Sequence, residues 1–135
     1  AMHHPPVACG IPGMDAIGLV DAAAFWAVVA RAPQVRHVFA GHIHRPFFAR
    51  RGDVTVSTLP SPAHQVLLQY EAEDAVLGSH EPGCYGVAEL RFDGFDLHVR
   101  AFTDTGPRFV FDDASNRAAT PGELPGVPSP YDRLV

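Results

Sequence analysis

The order of apolar and polar positions predicts a helix followed by a short strand in the first third of the chain. Residues 22–31 are rich in alanine and place their larger apolar side chains on one helical face. Asp21 is a candidate N-cap for this helix, and Pro33 ends it. Residues 35–40 form a short apolar run, which predicts a strand buried on both faces. Together the two elements are typical of an α/β unit.

Further along the chain the apolar period changes to two, which predicts β-hairpins. Residues 46–50 and 54–58 flank an Arg-Gly-Asp turn. Residues 85–92 and 95–102 flank an Asp-Gly pair, the stronger signal, because Asp-Gly suits the tight turns that join antiparallel strands. The pattern therefore indicates an α/β fold with one main helix and a mixed sheet that includes β-hairpins.

The segments between these elements lack a regular period. Residues 1–20 carry several prolines and glycines, so we expect a loop over most of their length. Residues 59–83 are irregular and include an acidic run at 71–74, which we interpret as a solvated loop. We predict one domain over residues 1–111 and an extended or partly disordered tail over residues 112–135, which is polar and contains four prolines.

Composition excludes several classes of protein. Of 135 residues, 47% are hydrophobic, yet no apolar run approaches the roughly 20 residues of a membrane helix. The net charge of −5 disfavours a nucleic-acid polymer as partner, and all the basic residues are arginine. Cys9 and Cys84 are too few for a disulfide framework, so we expect two reduced thiols in a cytoplasmic protein.

Histidines gather at two points where predicted strands give way to loops. His3 and His4 precede two prolines, while His42 and His44 follow Gly41, which leaves the backbone room to bend. Neutral imidazole is the commonest side-chain metal ligand, so a metal site at the sheet edge is one interpretation. The alternative is that the first doublet is the remnant of an expression tag and that the second contains ordinary loop histidines.

Three blocks in this order resemble those of a known family. The Met-His-His-Pro-Pro block at residues 2–6, the Gly-His-Ile-His block at 41–44 and the segment 57–66 are similar to blocks of the calcineurin-like metallophosphoesterases. The closest likeness is to class III cyclic nucleotide phosphodiesterases and bacterial glycerophosphodiesterases. The resemblance implies the C-terminal half of a four-layer α/β/β/α sandwich. It also implies that metal-bound hydroxide hydrolyses a small phosphodiester substrate.

The resemblance assigns roles to five histidines. It implies that His3 and His42 bind one metal ion and that His44 binds the other. His4 would either support a metal ligand or face the substrate. His64 would lie beside the substrate phosphate, and a buried histidine bonded to a loop carbonyl is the alternative. The implied cofactors are divalent ions, Mn, Fe, Zn or Co, with two in the complete enzyme and one or none in this chain alone.

The other polar candidates have plainer interpretations. His37 lies within a predicted strand and is expected to be structural, whereas His80 and His98 are expected to face solvent. Arg45 follows the second histidine block directly, where it either meets an anionic substrate or lies on the surface.

The family's remaining ligands come from Asp-x-His, Gly-Asp-x-x-Asp and Gly-Asn-His blocks, and we expect all three to be missing here. A two-metal phosphodiesterase needs a bridging carboxylate to hold its ions together. We therefore expect a C-terminal fragment that is inactive alone and forms a homo-oligomer to cover its open sheet edge. The alternatives are a non-catalytic binding or dimerisation module, or a mononuclear zinc hydrolase built on three histidines.

Overall fold

The computed structural model describes residues 1–71 and 75–103. Helix α1 is a single turn over Pro12–Asp15, within the otherwise irregular start of the chain, and helix α2 spans Ala22–Val29. Asp21 occupies the N-cap position of α2, but its side chain makes no capping hydrogen bond, so the predicted cap is wrong in that respect. No helix in these two ranges is long and apolar enough to cross a membrane.

A three-stranded mixed sheet follows α2. Strand β1 spans His37–Ala40, β2 spans Phe47–Arg51 and β3 spans Val54–Thr58, in the spatial order β1-β3-β2. Strand β1 runs parallel to β3, while β2 pairs antiparallel with β3 through the predicted Arg-Gly-Asp turn. The described chain is thus a small α/β domain with a mixed sheet and few helices, as the pattern predicted.

Two further strand pairs complete the described chain. Strands β4 (Gln65–Val66) and β5 (Gly78–Ser79) form a short antiparallel ladder inside the stretch that we expected to be irregular throughout. Strands β6 (Cys84–Leu90) and β7 (Phe95–Ala101) pair antiparallel over their full lengths. This second hairpin therefore lies where the Asp-Gly signal predicted it.

The two faces of the mixed sheet are covered unequally. On one face, Val38 and Val56 are buried beneath the apolar side of α2. On the other, His37 and Phe39 contact the Phe95 ring of β7, with ring centroids 4.7 and 5.0 Å apart. A two-stranded hairpin shields only part of a sheet face, so three of the four β1 residues stay partly exposed. The expectation that β1 is buried on both faces is wrong.

Some expectations concern residues outside the described ranges. The predicted tail at 112–135, the domain boundary at 111 and most of the acidic run at 71–74 fall there.

Candidate metal centre

The first histidine block is held beside the end of β1 by the backbone. The amide of Met2 donates to the carbonyl oxygen of Phe39 at 2.9 Å, and the amide of Gly41 donates to that of His3 at 2.8 Å. Met2 and Ala40 form a parallel bridge. The two histidine blocks are distant in sequence, and this pairing places them side by side at one edge of the sheet.

The backbone of the second block adopts an uncommon conformation at both of its histidines. His42 has φ 72° and His44 has φ 54°, a left-handed region that costs a residue with a side chain about 1–2 kcal/mol. Ile43 lies between them with only 1% of its surface exposed, in a core cluster with Ile11 and Met14. The buried Ile43 anchors the turn in the core, and the two strained residues beside it are histidines that are expected to bind a ligand.

Gly41 contributes less to this turn than the sequence suggested. Its φ is not positive, and an added Cβ would lie 3.5 Å from Nδ1 of His3, an ordinary contact. The bend that we assigned to Gly41 is made by His42 and His44 instead. This correction was not foreseeable, because left-handed backbone is rare at histidine and sequence rules assign it to glycine first.

Three rings meet at this edge, and we call His3, His4 and His42 the histidine cluster. One nitrogen from each ring lies within 4.8 Å of the other two. Ring centroids are 4.7 Å apart for His3 and His4, 5.3 Å for His3 and His42, and 4.4 Å for His4 and His42. The rings of His4 and His42 are half-buried, whereas His3 is exposed. Sequence analysis placed His3 and His42 together but gave His4 a different role.

The surroundings of His42 lower the pKa of its imidazole. Burial lowers the pKa of its imidazole, and the neighbouring His4 and His3 lower it further, so the ring is neutral near pH 7. Its Nε2 is buried and has no hydrogen-bond partner. Leaving a buried polar atom unsatisfied costs about 1–3 kcal/mol, and a metal ion would satisfy Nε2 in the tautomer that leaves its lone pair free.

His44 and His64 form a second group, which we call the histidine pair. Nδ1 of His44 lies 3.0 Å from the main-chain carbonyl oxygen of His64, and the two ring centroids are 4.8 Å apart. Because a carbonyl only accepts, Nδ1 carries the proton and Nε2 of His44 carries the lone pair. The ring of His64 is exposed, so the alternative of a buried histidine bonded to a loop carbonyl is wrong for this residue.

An ion pair lies next to His44, where Arg45 and Glu81 line the same pocket. Nη1 of Arg45 donates to Oε1 of Glu81 at 2.9 Å and to the carbonyl oxygen of Val66 at 2.8 Å, while Thr58 donates its hydroxyl to the carbonyl oxygen of Arg45. The hydrogen bond from Arg45 is the main reason that the pKa of Glu81 is lowered, with a smaller contribution from Ser79. Arg45 is therefore tied to the protein rather than free on the surface.

The remaining histidines match their expected surroundings. His37 makes ring hydrogen bonds to the hydroxyls of Thr55 and Ser57 on β3, and burial lowers its pKa, so it is a structural residue. His80 and His98 are exposed.

One Asp-x-His triplet is present, contrary to expectation, at Asp96-Leu97-His98 in β7. Both polar side chains are exposed, and Asp96 pairs with Arg91 on the same hairpin. Neither belongs to a group that could hold a metal ion within the described ranges. The triplet has the spacing of a ligand block but not the surroundings of one.

Cys9 is close in sequence to the first histidine block but is a poor ligand. It lines a cavity of about 570 Å³ that also reaches His42 and Trp26. Burial raises the pKa of the Cys9 thiol to about 11, so the thiolate that binds metals is scarce at neutral pH. The candidate donors at this edge are thus three imidazoles, a ligand type that suits borderline ions such as Zn²⁺ and Co²⁺.

The described chain is thus a small α/β domain with a histidine cluster at the end of strand β1, beside the parallel bridge between Met2 and Ala40. No protein-family model matches the chain. A probable cyclic nucleotide phosphodiesterase of Rhodopseudomonas palustris is 35% identical over 112 residues, covering 83% of this chain and 41% of that protein. The 3',5'-cyclic adenosine monophosphate phosphodiesterase CpdA of Pseudomonas aeruginosa is 36% identical over 94 residues, covering 70% of this chain and 34% of that protein.

The glycerophosphodiester phosphodiesterase GpdQ of Enterobacter lignolyticus is 32% identical over 83 residues, covering 62% of this chain and 30% of that protein. The chain spans less than half the length of the curated relatives that it matches. It is homologous to the C-terminal portion of the calcineurin-like metallophosphoesterases.

Proposed function

We propose that this chain contributes part of the site of a metal-dependent phosphodiesterase that hydrolyses cyclic nucleotides or glycerophosphodiesters. The observation that carries the proposal is the convergence of His3, His4 and His42 at one sheet edge, with the Nε2 of His42 buried and unpartnered. The names of the relatives supply the substrate class, a small phosphodiester.

In this proposal His3 and His42 hold one divalent ion and His44 holds a second, of Mn, Fe, Zn or Co. Such ions neutralise the phosphate charge and acidify the attacking water. His44 suits its role because the His64 carbonyl directs its Nε2 lone pair outward. In the same proposal, His4 and the exposed ring of His64 bind the phosphate oxygens of the substrate.

Neutral histidines alone cannot hold two dications close together, because nothing offsets the repulsion between the ions. The proposal therefore takes the bridging carboxylate, and the rest of a four-layer sandwich, from a segment that corresponds to the N-terminal portion of the relatives. The chain by itself is expected to show little or no hydrolysis. We also place the protein in the cytoplasm, in keeping with the unpaired Cys9 and Cys84.

Complementation tests this function. The chain is co-expressed with the N-terminal portion of the Rhodopseudomonas relative, and hydrolysis of a chromogenic phosphodiester is followed with Mn²⁺. We expect activity in the complemented preparation, loss of it with His42→Ala and its retention with His98→Ala, since His98 is exposed on β7. Equal activity of the two variants would contradict the assignment.

A second candidate function, a non-catalytic dimerisation module, is favoured by one observation. In the β6–β7 hairpin and its turn, Phe92 is fully exposed, Leu90 is 79% exposed and Val99 is 48% exposed. Exposed apolar groups of this size mark interaction surfaces. Light scattering after gel filtration is expected to show a homo-oligomer that Phe92→Ser weakens. A wild-type monomer at all concentrations would rule this candidate out.

A further inference from the structure

The loop that leads into β4 ends at a buried glutamine, Gln65, to which the proposed function gives no role. The residue is 2% exposed. Its Oε1 accepts from the amide of Ser61 at 2.8 Å, while its Nε2 donates to the carbonyl oxygens of Ser61 at 2.8 Å and Pro82 at 3.3 Å. Both ends of the side-chain amide are therefore satisfied by main-chain atoms, which hold it in one orientation.

The loop that Gln65 closes is also packed tightly against the start of β6. Cys84 donates its amide to the carbonyl oxygen of Ser61 at 3.0 Å. The main chain comes so close at Gly83 that an added Cβ would collide with the carbonyl oxygen of Pro62. The side chain of Gln65 thus joins two segments that already touch, and it fixes the backbone of the loop from the inside.

The residue before Gln65 supplies the acceptor that orients His44. The carbonyl oxygen of His64 lies 3.0 Å from Nδ1 of His44. This carbonyl and the amide of Gln65 belong to the same rigid peptide plane, so the glutamine backbone sets the direction of the oxygen. Hydrogen bonds weaken steeply when their angle departs from linear, so the carbonyl must be held still to orient the ring.

The tautomer of His44 decides which of its ring nitrogens is open to a ligand. A proton on Nδ1 leaves the lone pair on Nε2, and the hydrogen bond at one nitrogen determines the state of the other. Outer hydrogen-bond partners of histidines act in this way, since they fix both the tautomer and the angle of the ring. Freedom of the His64 carbonyl would therefore be felt at Nε2 of His44.

We propose that Gln65 is a positioning residue, whose buried amide fixes the loop carbonyl that keeps His44 in the Nδ1–H tautomer. Gln65 acts through the main chain of His64 and not on the reacting atoms. The inference rests on the proposed function only for the use of the Nε2 lone pair, because the tautomer is a property of the metal-free chain.

Long-range ¹H–¹⁵N spectra of the metal-free chain test this role, because the two ring nitrogens of a neutral histidine report its tautomer. Gln65→Met keeps the length of the side chain but removes the amide. At about pH 8, where histidine is ordinarily neutral, the ratio of Nδ1–H to Nε2–H forms of His44 should fall about fivefold, the effect of losing one ordinary hydrogen bond. A wild-type ratio in the folded variant would overturn the inference.

A matched variant and an internal signal make the result specific. Gln69→Met changes the same residue type beyond β4, where Oε1 of Gln69 accepts from the amide of Leu77 at 3.3 Å, and it should leave the His44 ratio unchanged. The ring signals of His37, which is bonded to hydroxyls of β3, report whether the sheet is folded. Equal changes for Gln69→Met and Gln65→Met would overturn the inference, since they would show a general response of the region.

Gln65→Asn serves as the test if Gln65→Met does not fold. Its amide is one methylene shorter, so it cannot reach Ser61 and Pro82 together, but it leaves a polar group in the buried position. We expect wild-type ring signals at His37 and a fall of about twofold in the His44 ratio, as for a weakened hydrogen bond. An unchanged ratio in this variant would overturn the inference.

These outcomes are separate from those of the complementation experiment. Inactivity of the complemented preparation would contradict the phosphodiesterase assignment and would leave the tautomer ratio of the metal-free chain intact. A His44 ratio that does not respond to Gln65 would contradict the positioning role and would leave the assignment standing.

Discussion

The histidine cluster and the histidine pair each take one residue, His42 or His44, from the same short turn, but the two groups are built differently. The cluster is assembled by backbone pairing between Met2 and Ala40, and its most buried nitrogen has no protein partner. The pair is oriented by a direct hydrogen bond from His44 to the main chain of His64. Unsatisfied lone pairs suit a metal ion, whereas a ring with a fixed tautomer suits a defined donor or acceptor role. Ile43, between His42 and His44, links the two groups.

The largest effect should come from removing that link. Ile43→Ala deletes a side chain that is 1% exposed and packs with Ile11, Met14 and Val66, so we expect unfolding to become easier by about 2–5 kcal/mol. The turn would also lose its anchor, weakening both groups. Denaturant unfolding measures the loss, and Val28→Ala, at a residue 56% exposed on α2, is the matched control. Equal losses for the two variants would contradict the role of Ile43.

The next largest effect is expected from acidification, which should lower the stability of the folded chain. Burial lowers the pKa values of His37 and His42 below 6.5, so the unfolded chain binds protons before the folded chain does. The stability that depends on neutral rings is therefore present above pH 6.5 and is lost progressively as the pH falls toward the folded pKa values. Thermal unfolding between pH 8 and about pH 5 measures this loss. His42→Gln should reduce the slope, while the exposed-residue variant His98→Gln should not.

A smaller effect on stability is expected from the ion pair between Arg45 and Glu81. Glu81→Gln weakens the ion pair with Arg45, and we expect looser packing of His64 with a slight loss of stability, since Glu81 is exposed. The lowered pKa of Glu81 means that its contribution exists above pH 4.5 and fades as the pH falls through the folded value. Wild type and variant should thus converge in acid.

Hydrogen exchange near His64 at neutral pH measures that loosening. Glu89→Gln is the matched control, because Glu89 pairs with Arg91 on the β6–β7 hairpin. An identical response of the two variants would show that the Arg45–Glu81 pair does not support the histidine pair.

The smallest effect is expected at Gly41. Because its φ is not positive and an added Cβ makes ordinary contacts, Gly41→Ala should change stability by no more than about 0.5 kcal/mol. Zn²⁺ affinity should also be unchanged. A large loss of either would restore the interpretation that glycine is required at the start of the turn.

Local patterning predicted the regular elements well. The Asp-Gly turn and the alternation around it predict β6 and β7, and the alanine-rich run predicts α2, because these signals lie within the elements themselves. The half-exposed β1 was not predicted, since whether a second layer covers a strand depends on distant residues such as Phe95.

The site could be predicted only in outline. Spacing and resemblance brought the first histidine block near His42, but no local rule decides which ring of an adjacent doublet takes which role, so the substrate-facing role of His4 stays a prediction. The contact between Arg45 and Glu81 joins residues 36 positions apart through a loop without a strong period. Left-handed backbone at His42 and His44 flanks the buried Ile43, whose burial depends on residues distant in sequence such as Ile11 and Val66.

Long-range ¹H–¹⁵N spectra of the imidazole rings, recorded while Zn²⁺ is added to the isolated chain, test the central claim most directly. Ring nitrogens of His3 and His42 should shift together as the ion binds. The rings of His44 and His64 should keep the tautomer that their hydrogen bond sets in the metal-free protein. Unchanged ring nitrogens at both His3 and His42 would contradict the account.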